Sequence, residues 1–213
     1  FAGDPAQFQY LFQIGGKGKG DGFLMGPHQV ALDKDGNLYV ADTFNNRVMK
    51  FTKGGKYLMK FGDATLFGGG NGTNSVGLRG ITVDDDGNIY TADQVKGRLL
   101  KFDKDGKQLK DSNTQGYPMA LKFKDGVLWV GCGGSQLISK YSPDLKVISA
   151  AVSGITYEIY GLDVDDAGNI YGNGYACGGV VTVYNSGGTK TRTIGGKMGQ
   201  HDEGLMLDKV GYI

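Results

Sequence analysis

The chain has 213 residues, of which 39 are glycine, against an average glycine usage of about 7%. So much glycine excludes a helical bundle, because each interior glycine costs roughly 1 kcal/mol of helix stability. The 39% hydrophobic and 11% aromatic residues exclude a disordered chain, and a formal charge of +1 excludes a strong overall field toward nucleic acid or anionic lipid. These figures predict an all-β protein built from many short strands and tight turns.

One unit repeats along the sequence. Complete copies cover about 26–62, 78–110, 117–152 and 158–196, and a partial copy covers 201–213. The same turn glycine recurs in every copy, at intervals of 51, 39, 42 and 43 residues: Gly36, Gly87, Gly126, Gly168 and Gly211. Periods of this size are typical of propellers and solenoids.

Each unit is predicted to contain four antiparallel strands. In the first unit these are Val30–Leu32, Asn37–Val40, Arg47–Phe51 and Tyr57–Phe61. Asp-Gly and Gly-Gly turns between them supply the positive φ angles that tight hairpins require. Four such strands make one blade, so the predicted fold class is an all-β β-propeller of four-stranded antiparallel blades.

The segment VALDKDGNLYVADTFNNRVMKF at 30–51, preceded by IGGKGKGDGFLMGP at 14–27, resembles an NHL repeat. The resemblance extends over nearly the whole chain, is strongest in the first two units, and is more specific for fold than for function. It implies that Asp42 and Arg47 hold the loop between the second and third strands. Because NHL propellers are often interaction platforms, it also implies a binding role.

The whole chain, 1–213, is predicted to form a single propeller domain with four complete blades and one that is split or truncated. Residues 9–15 resemble a fourth strand and are predicted to complete the last blade, although the last unit ends within its second strand. A six-bladed ring of roughly 40–45 residues per blade needs about 250–270 residues. We therefore expect a fragment of a longer six-bladed propeller, the alternative being assembly with chain segments that complete the ring.

The scarce ionisable residues coincide in the aligned repeat. The position four residues before the last apolar residue of the first strand, here called the rim position, holds His28, Arg79, Met119, Tyr160 and Glu203. Glu158 and His201 stand two residues before it in the last two units. Since the first strand is innermost in a blade, these side chains are expected around one mouth of the central channel. The candidate binding residues are therefore His28, Arg79, Glu158, Tyr160, His201 and Glu203, and the alternative is polar filling of a solvated mouth.

The two cysteines, Cys132 and Cys177, follow the second strand of consecutive units, so their loops should lie on one face of neighbouring blades. One disulfide and two buried thiols are both compatible with this placement. Two cysteines and two distant histidines fall short of a zinc site, and the Asp-rich turns lack the spacing of an EF-hand. We predict no bound metal and no cofactor.

The leading functional interpretation is a non-catalytic binding or scaffold propeller whose partner is a protein or a small ligand. The processed-looking start at Phe1 and the cysteine pair favour a periplasmic or secreted location. No apolar run is long enough for a membrane span, and the evenly spread lysines favour no nucleic-acid partner. The alternative is a propeller lyase or hydrolase that acts at the channel mouth with a divalent metal. It follows from a resemblance to virginiamycin-type lyases and would use His28 as base with Glu158 or Glu203 as acid or metal ligand.

Overall fold

The computed structural model of the chain describes residues 12–68, 77–156, 158–175 and 180–195. Within these ranges the backbone forms four antiparallel sheets, each with four strands in chain order. The predicted all-β propeller fold with four-stranded blades is confirmed. Helical structure in the described ranges is limited to a 3-10 turn at Thr43–Asn45. The described part of the chain contains no helix that could cross a membrane.

The strands follow the repeat closely. The first blade contains β1 (Val30–Leu32), β2 (Leu38–Asp42), β3 (Arg47–Phe51) and β4 (Tyr57–Phe61). The second contains β5 (Leu78–Val83), β6 (Ile89–Asp93), β7 (Arg98–Phe102) and β8 (Gln108–Asn113). The third contains β9 (Tyr117–Lys124), β10 (Val127–Gly133), β11 (Leu137–Tyr141) and β12 (Val147–Val152). The fourth contains β13 (Glu158–Val164), β14 (Ile170–Tyr175), β15 (Val180–Tyr184) and β16 (Lys190–Gly195).

Apolar side chains between successive blades form the core. Tyr39 and Ala41 of the first blade share one buried cluster with Leu78 and Ile81 of the second. Comparable clusters join the second blade to the third and the third to the fourth. Burying one large apolar side chain contributes roughly 1.5–3 kcal/mol, so these interfaces stack the blades face to face. The strands β1, β5, β9 and β13 consequently contact one another in turn along the inner side.

The turn between the first two strands of a blade is held by its leading aspartate. The carboxylate of Asp33 accepts hydrogen bonds from the backbone and side-chain amides of Asn37, at 2.8 and 2.9 Å, and from the hydroxyl of Tyr39. Asp84 and Asp165 hold the second and fourth blades in the same way. Because both carboxylate oxygens are occupied inside the turn, these aspartates have a structural role.

Acid is expected to weaken these turns. Burial alone would raise the pKa of Asp33, but hydrogen bonds from Asn37 bring it below its ordinary value of 3.8. A carboxyl group with a lowered folded-state pKa stabilises the fold above its unfolded pKa, and this contribution is lost as the pH falls through the folded value. We expect Asp33→Asn to lower the free energy of unfolding by about 1 kcal/mol at neutral pH. In urea titrations the difference should shrink below pH 3.8, and a deficit that stays constant with pH would contradict this role.

The described part of the predicted closing strand 9–15, residues 12–15, is not a strand. It lies on the face of the first blade that is turned away from the second blade, where Ile14 packs against the cluster that contains Val40. The rest of that segment and the partial unit 201–213 lie outside the described residues. Closure of the ring therefore stays a prediction.

Candidate functional site

The rim position is a β-bulge in three of the four blades. The pairing of β5 with β6 passes from Leu78 directly to Gly80 and skips Arg79. Met119 and Tyr160 are skipped in the same way in the third and fourth blades. A bulge leaves one residue without a ladder partner and redirects its side chain. The repeat thus offers one redirected side chain in each of these three blades, on the innermost strand.

The structure brings the four described rim residues together. One cavity of about 10 Å³ is lined by His28, Gln29, Arg79, Met119 and Tyr160, which come from all four blades. A space of this size holds no more than about one water molecule. The four described rim side chains therefore leave almost no free space between them. The remaining candidates, His201 and Glu203, lie outside the described residues.

A contact between Arg79 and Tyr160 spans the channel from the second blade to the fourth. The guanidinium carbon lies 4.2 Å from the centroid of the Tyr160 ring, in cation–π geometry. Arg79 also donates to the side-chain oxygen of Gln94 at 3.0 Å, and the Tyr160 hydroxyl donates to Glu158 at 2.8 Å. Burial, together with the hydrogen bond to Glu158, raises the pKa of Tyr160 to about 12. Its hydroxyl therefore stays protonated at neutral pH and acts as a donor.

His28 lies beside this contact at the start of the first blade. Its Nδ1 is 3.1 Å from the carbonyl oxygen of Gly26. Since a carbonyl oxygen only accepts, Nδ1 carries the proton and Nε2 is the basic nitrogen of the neutral ring. The ring packs edge-on against Phe44, with centroids 6.0 Å apart. The imidazole is thus held in one orientation by contacts within its own blade.

Gln29 closes the channel beneath the rim. Its side-chain nitrogen donates to the carbonyl of Leu121 at 2.9 Å. Its side-chain oxygen accepts the N–H groups of Ile81 at 3.0 Å and of Leu121 at 3.3 Å. One side chain of the first blade therefore joins the second and third blades. This role of Gln29 could not be predicted from the sequence, because its hydrogen-bond partners are 52 and 92 residues away and no local sequence pattern identifies them.

Residues 24–51 match the NHL repeat family. The chain therefore contains an NHL repeat in its first blade. The propeller fold predicted from the resemblance agrees with its structural neighbours. No curated protein matches the sequence of this NHL-repeat chain.

Several solved structures share the fold at low sequence identity. Hydrazine synthase of Kuenenia stuttgartiensis aligns with a TM-score of 0.63 and 14% identity, covering 85% of this chain and 52% of that one. A catalytically inactive virginiamycin B lyase from Staphylococcus aureus, with quinupristin, aligns with a TM-score of 0.64 and 15% identity, covering 88% of this chain and 60% of the lyase. A streptogramin B lyase gives 0.61 and 15%, covering 79% and 54%. The NHL-repeat chain thus spans between half and two thirds of these proteins, and identities this low show the fold alone.

Cys132 occupies, in the third blade of the NHL-repeat chain, the place of an acidic residue. It pairs with Leu137 as Asp42 and Asp93 pair with arginines in the first two blades. Burial raises the pKa of the Cys132 thiol to about 12, so the thiolate is not available at neutral pH. Its predicted disulfide partner, Cys177, lies outside the described residues. The bridge and the two-thiol alternative both stay predictions.

The two ends of the propeller differ in their surface chemistry. The rim end carries the loops between the second and third strands, where Phe44 and Val95 are 43% and 45% exposed. Tyr117, at the start of β9 on the same end, is 53% exposed. The opposite end carries the hydrogen-bonded Asp turns. Apolar exposure alone does not distinguish the rim end, because Leu32, beside the first Asp turn, is 58% exposed. What favours the rim end as a binding surface is the exposed aromatic rings of Phe44 and Tyr117, since aromatic residues are enriched at interfaces.

Proposed function

We propose that the chain is a non-catalytic binding propeller that holds a protein or a small ligand at its rim end, outside the cytoplasm. The observation that supports this most is the rim position itself. A β-bulge recurs there in three successive blades, yet it carries an arginine, a methionine and a tyrosine, and the same position of the first blade holds a histidine. A position that served folding alone would be expected to repeat its residue type, as the turn aspartates do.

The composition of the rim end supports the same proposal. Arginine and aromatic side chains contribute most of the binding energy at many interfaces, and Arg79, Tyr117 and Tyr160 lie at this end. Because the cavity among the rim residues is about 10 Å³, a ligand would sit on the packed cluster rather than inside the channel. The proposed location outside the cytoplasm depends on composition and on the cysteine pair.

Met119 offers a direct test of this site. We expect ligands found in a small-molecule screen to shift the methyl resonance of Met119 in a methionine-labelled sample. Arg79→Gln should weaken their binding about tenfold or more, because a charged hydrogen-bonding partner at the rim is lost. Met119→Leu assigns the resonance.

The matched control is Arg192→Gln, which removes an exposed arginine from the outermost strand β16. This variant should bind as the unmodified chain does. A ligand that binds both variants equally and leaves the Met119 methyl unmoved would place binding elsewhere and disprove the proposal.

A propeller lyase or hydrolase is the second candidate, favoured by the fold similarity to virginiamycin B lyase. A metal-dependent mechanism needs a set of metal ligands near His28. Within the described residues there is no group of three His, Cys, Asp or Glu side chains that could hold an ion. The residues that are described therefore do not fit such a metal, and no catalytic step is derived from one. Mg²⁺ added during the methyl experiment tests the alternative, since a shift that needs Mg²⁺ would favour the lyase.

A further inference from the structure

A second cavity, of about 370 Å³, lies on the outer side of the rim end. It forms where the segment before the first blade, the loop between β2 and β3, and the residues after β4 meet. Lys19, Phe44, Asn46 and Asp63 are among the residues that line it. The cavity is large enough for a small organic molecule and shares no residue with the small cavity at the rim.

Asn46 is the unusual member of this lining. The residue is 3% exposed, and its side-chain oxygen has no hydrogen-bond partner among the described residues. Polar atoms buried to this degree are almost always hydrogen-bonded, because leaving one unmatched is costly. The acceptor therefore calls for a donor that the described residues do not supply.

The fold does not need the side chain of Asn46. The backbone is left-handed there, with φ of 52°, and its N–H donates to the carbonyl of Thr43. The equivalent position of the second blade is Gly97, with φ of 60°. Glycine adopts this conformation without strain, so the backbone of the first blade needs no side chain at this position. The left-handed backbone therefore does not by itself explain why a side chain is present at this position.

In the second blade, the equivalent junction between the residue before the third strand and the residue after the fourth strand is closed by hydrogen bonds. There the carbonyl of Gly97 accepts hydrogen bonds from the backbone and the hydroxyl of Thr114, at 2.8 and 2.9 Å. Asp63 takes the place of Thr114 in the first blade, and one of its carboxylate oxygens accepts the N–H groups of Thr65 and Leu66. The first junction is thus lined by acceptors instead of being closed by a donor.

The charges of the lining indicate what kind of ligand fits. Arg47 is compensated by Asp42, 2.8 Å away, which leaves one basic and one acidic side chain in the lining, Lys19 and Asp63. A balanced site favours a neutral ligand, because a net charge would find no counter-charge. Asn46 and Asp63 require donors and the Lys19 ammonium requires an acceptor. Hydroxyl groups satisfy both, and the exposed ring of Phe44 offers an apolar face.

We propose that this cavity is a binding site for a neutral, hydroxyl-rich ligand of the saccharide class. One sugar hydroxyl donates to the side-chain oxygen of Asn46, a second donates to Asp63, and the C–H face of the ring lies on Phe44. This site is separate from the rim, so each can be present without the other.

The test titrates the chain with glucose, galactose and N-acetylglucosamine, each up to about 10 mM, and follows backbone amide resonances by NMR. We expect at least one sugar to shift the amides of Asn46 and Gly62, which both line the cavity. Asn46→Gly should reduce that affinity about tenfold or more while leaving the melting temperature unchanged or higher. The glycine keeps the left-handed backbone and removes only the unmatched oxygen.

Gln136→Gly is the matched control, because Gln136 is also left-handed, with φ of 54°, at the equivalent position of the third blade. It should bind sugar as the unmodified chain does. Two results would overturn the proposal: no shift with any of the three sugars, or unchanged affinity in Asn46→Gly. Arg79→Gln should leave sugar binding at this cavity unchanged, because Arg79 does not line it. The rim proposal and the sugar proposal can therefore be disproved independently.

Discussion

Replacing Gln29 by leucine is expected to lower the free energy of unfolding by about 3 kcal/mol, the largest effect of any single side chain near the channel. The substitution keeps the size of the side chain but removes its hydrogen bonds to Ile81 and Leu121, which measure 2.9 to 3.3 Å. Two backbone N–H groups and one carbonyl in the innermost strands then lose their partner. Each such group costs about 1–3 kcal/mol when it stays away from water. For a domain of this size, the melting temperature should fall by about 6–12 °C.

Gln108→Leu is the control for this prediction. Gln108 is exposed at the start of the outermost strand β8, and its loss should change stability by less than about 0.5 kcal/mol. Gln29→Glu adds a test of the hydrogen-bond direction, because an ionised carboxylate repels the carbonyl of Leu121 and a protonated one donates to it. The folded state then binds the proton more tightly, so the stability of this variant should fall as the pH rises above about 4.3. Equal losses in the leucine variants of Gln29 and Gln108 would show that the bridge between blades contributes nothing.

The blades could be predicted from the sequence because their determinants are local. The bounds predicted for Val30–Leu32, Arg47–Phe51 and Tyr57–Phe61 are those of β1, β3 and β4. Alternation of apolar residues and a turn glycine act within about ten residues of each other, and the repeat presents them several times. The second strand was predicted at Asn37–Val40 but extends over Leu38–Asp42, so its predicted start is one residue and its predicted end two residues too early.

The rim could be predicted only as a position. Alignment of the repeats singles out Arg79, Met119 and Tyr160, but the sequence does not show that a β-bulge skips each of them. It also gives no sign that the Arg79 guanidinium reaches Tyr160 across the channel, because that contact joins residues of non-adjacent blades. The sequence also does not show that the described rim side chains leave a space of only about 10 Å³ between them. Which side chains touch depends on how closely the inner strands approach, and this is a property of the packed blades rather than of any one repeat.

The buried acceptor of Asn46 was missed for a different reason. In the sequence, Asn45-Asn46 is an ordinary loop pair, and asparagine tolerates a left-handed backbone better than most residues. Only the burial of the side-chain oxygen distinguishes Asn46 from a simple loop residue. The comparison with Gly97 was available from the repeat, yet it gains meaning only when both residues prove to share the same backbone conformation.

Arg47→Lys is also expected to be strongly destabilising, with a loss of about 3–5 kcal/mol in the free energy of unfolding. The Arg47 side chain is buried and its Nε donates to Asp42, itself fully buried, at 2.8 Å. Its two terminal nitrogens donate to the carbonyls of Lys19, Gly20 and Phe23, which fixes the segment that leads into the first blade. A lysine ammonium is a compact donor and cannot reproduce a planar fork that serves four acceptors. Urea unfolding gives the loss directly.

Arg98→Lys is the control that the repeat itself provides. Arg98 makes the equivalent pair with Asp93 in the second blade, but at 3.4 Å and with 18% of its side chain exposed. That pair is longer, and Arg98 donates to one backbone carbonyl, that of Leu66, where Arg47 donates to three, so its loss should cost less, about 1–2 kcal/mol. The double variant Asp42→Asn, Arg47→Met should cost less than the sum of its single changes, since removing both charges leaves no buried ion without a partner. Equal losses for the lysine variants of Arg47 and Arg98 would mean that burial adds nothing to the pair. The entry segment would then be held by its packing against the first blade rather than by the arginine.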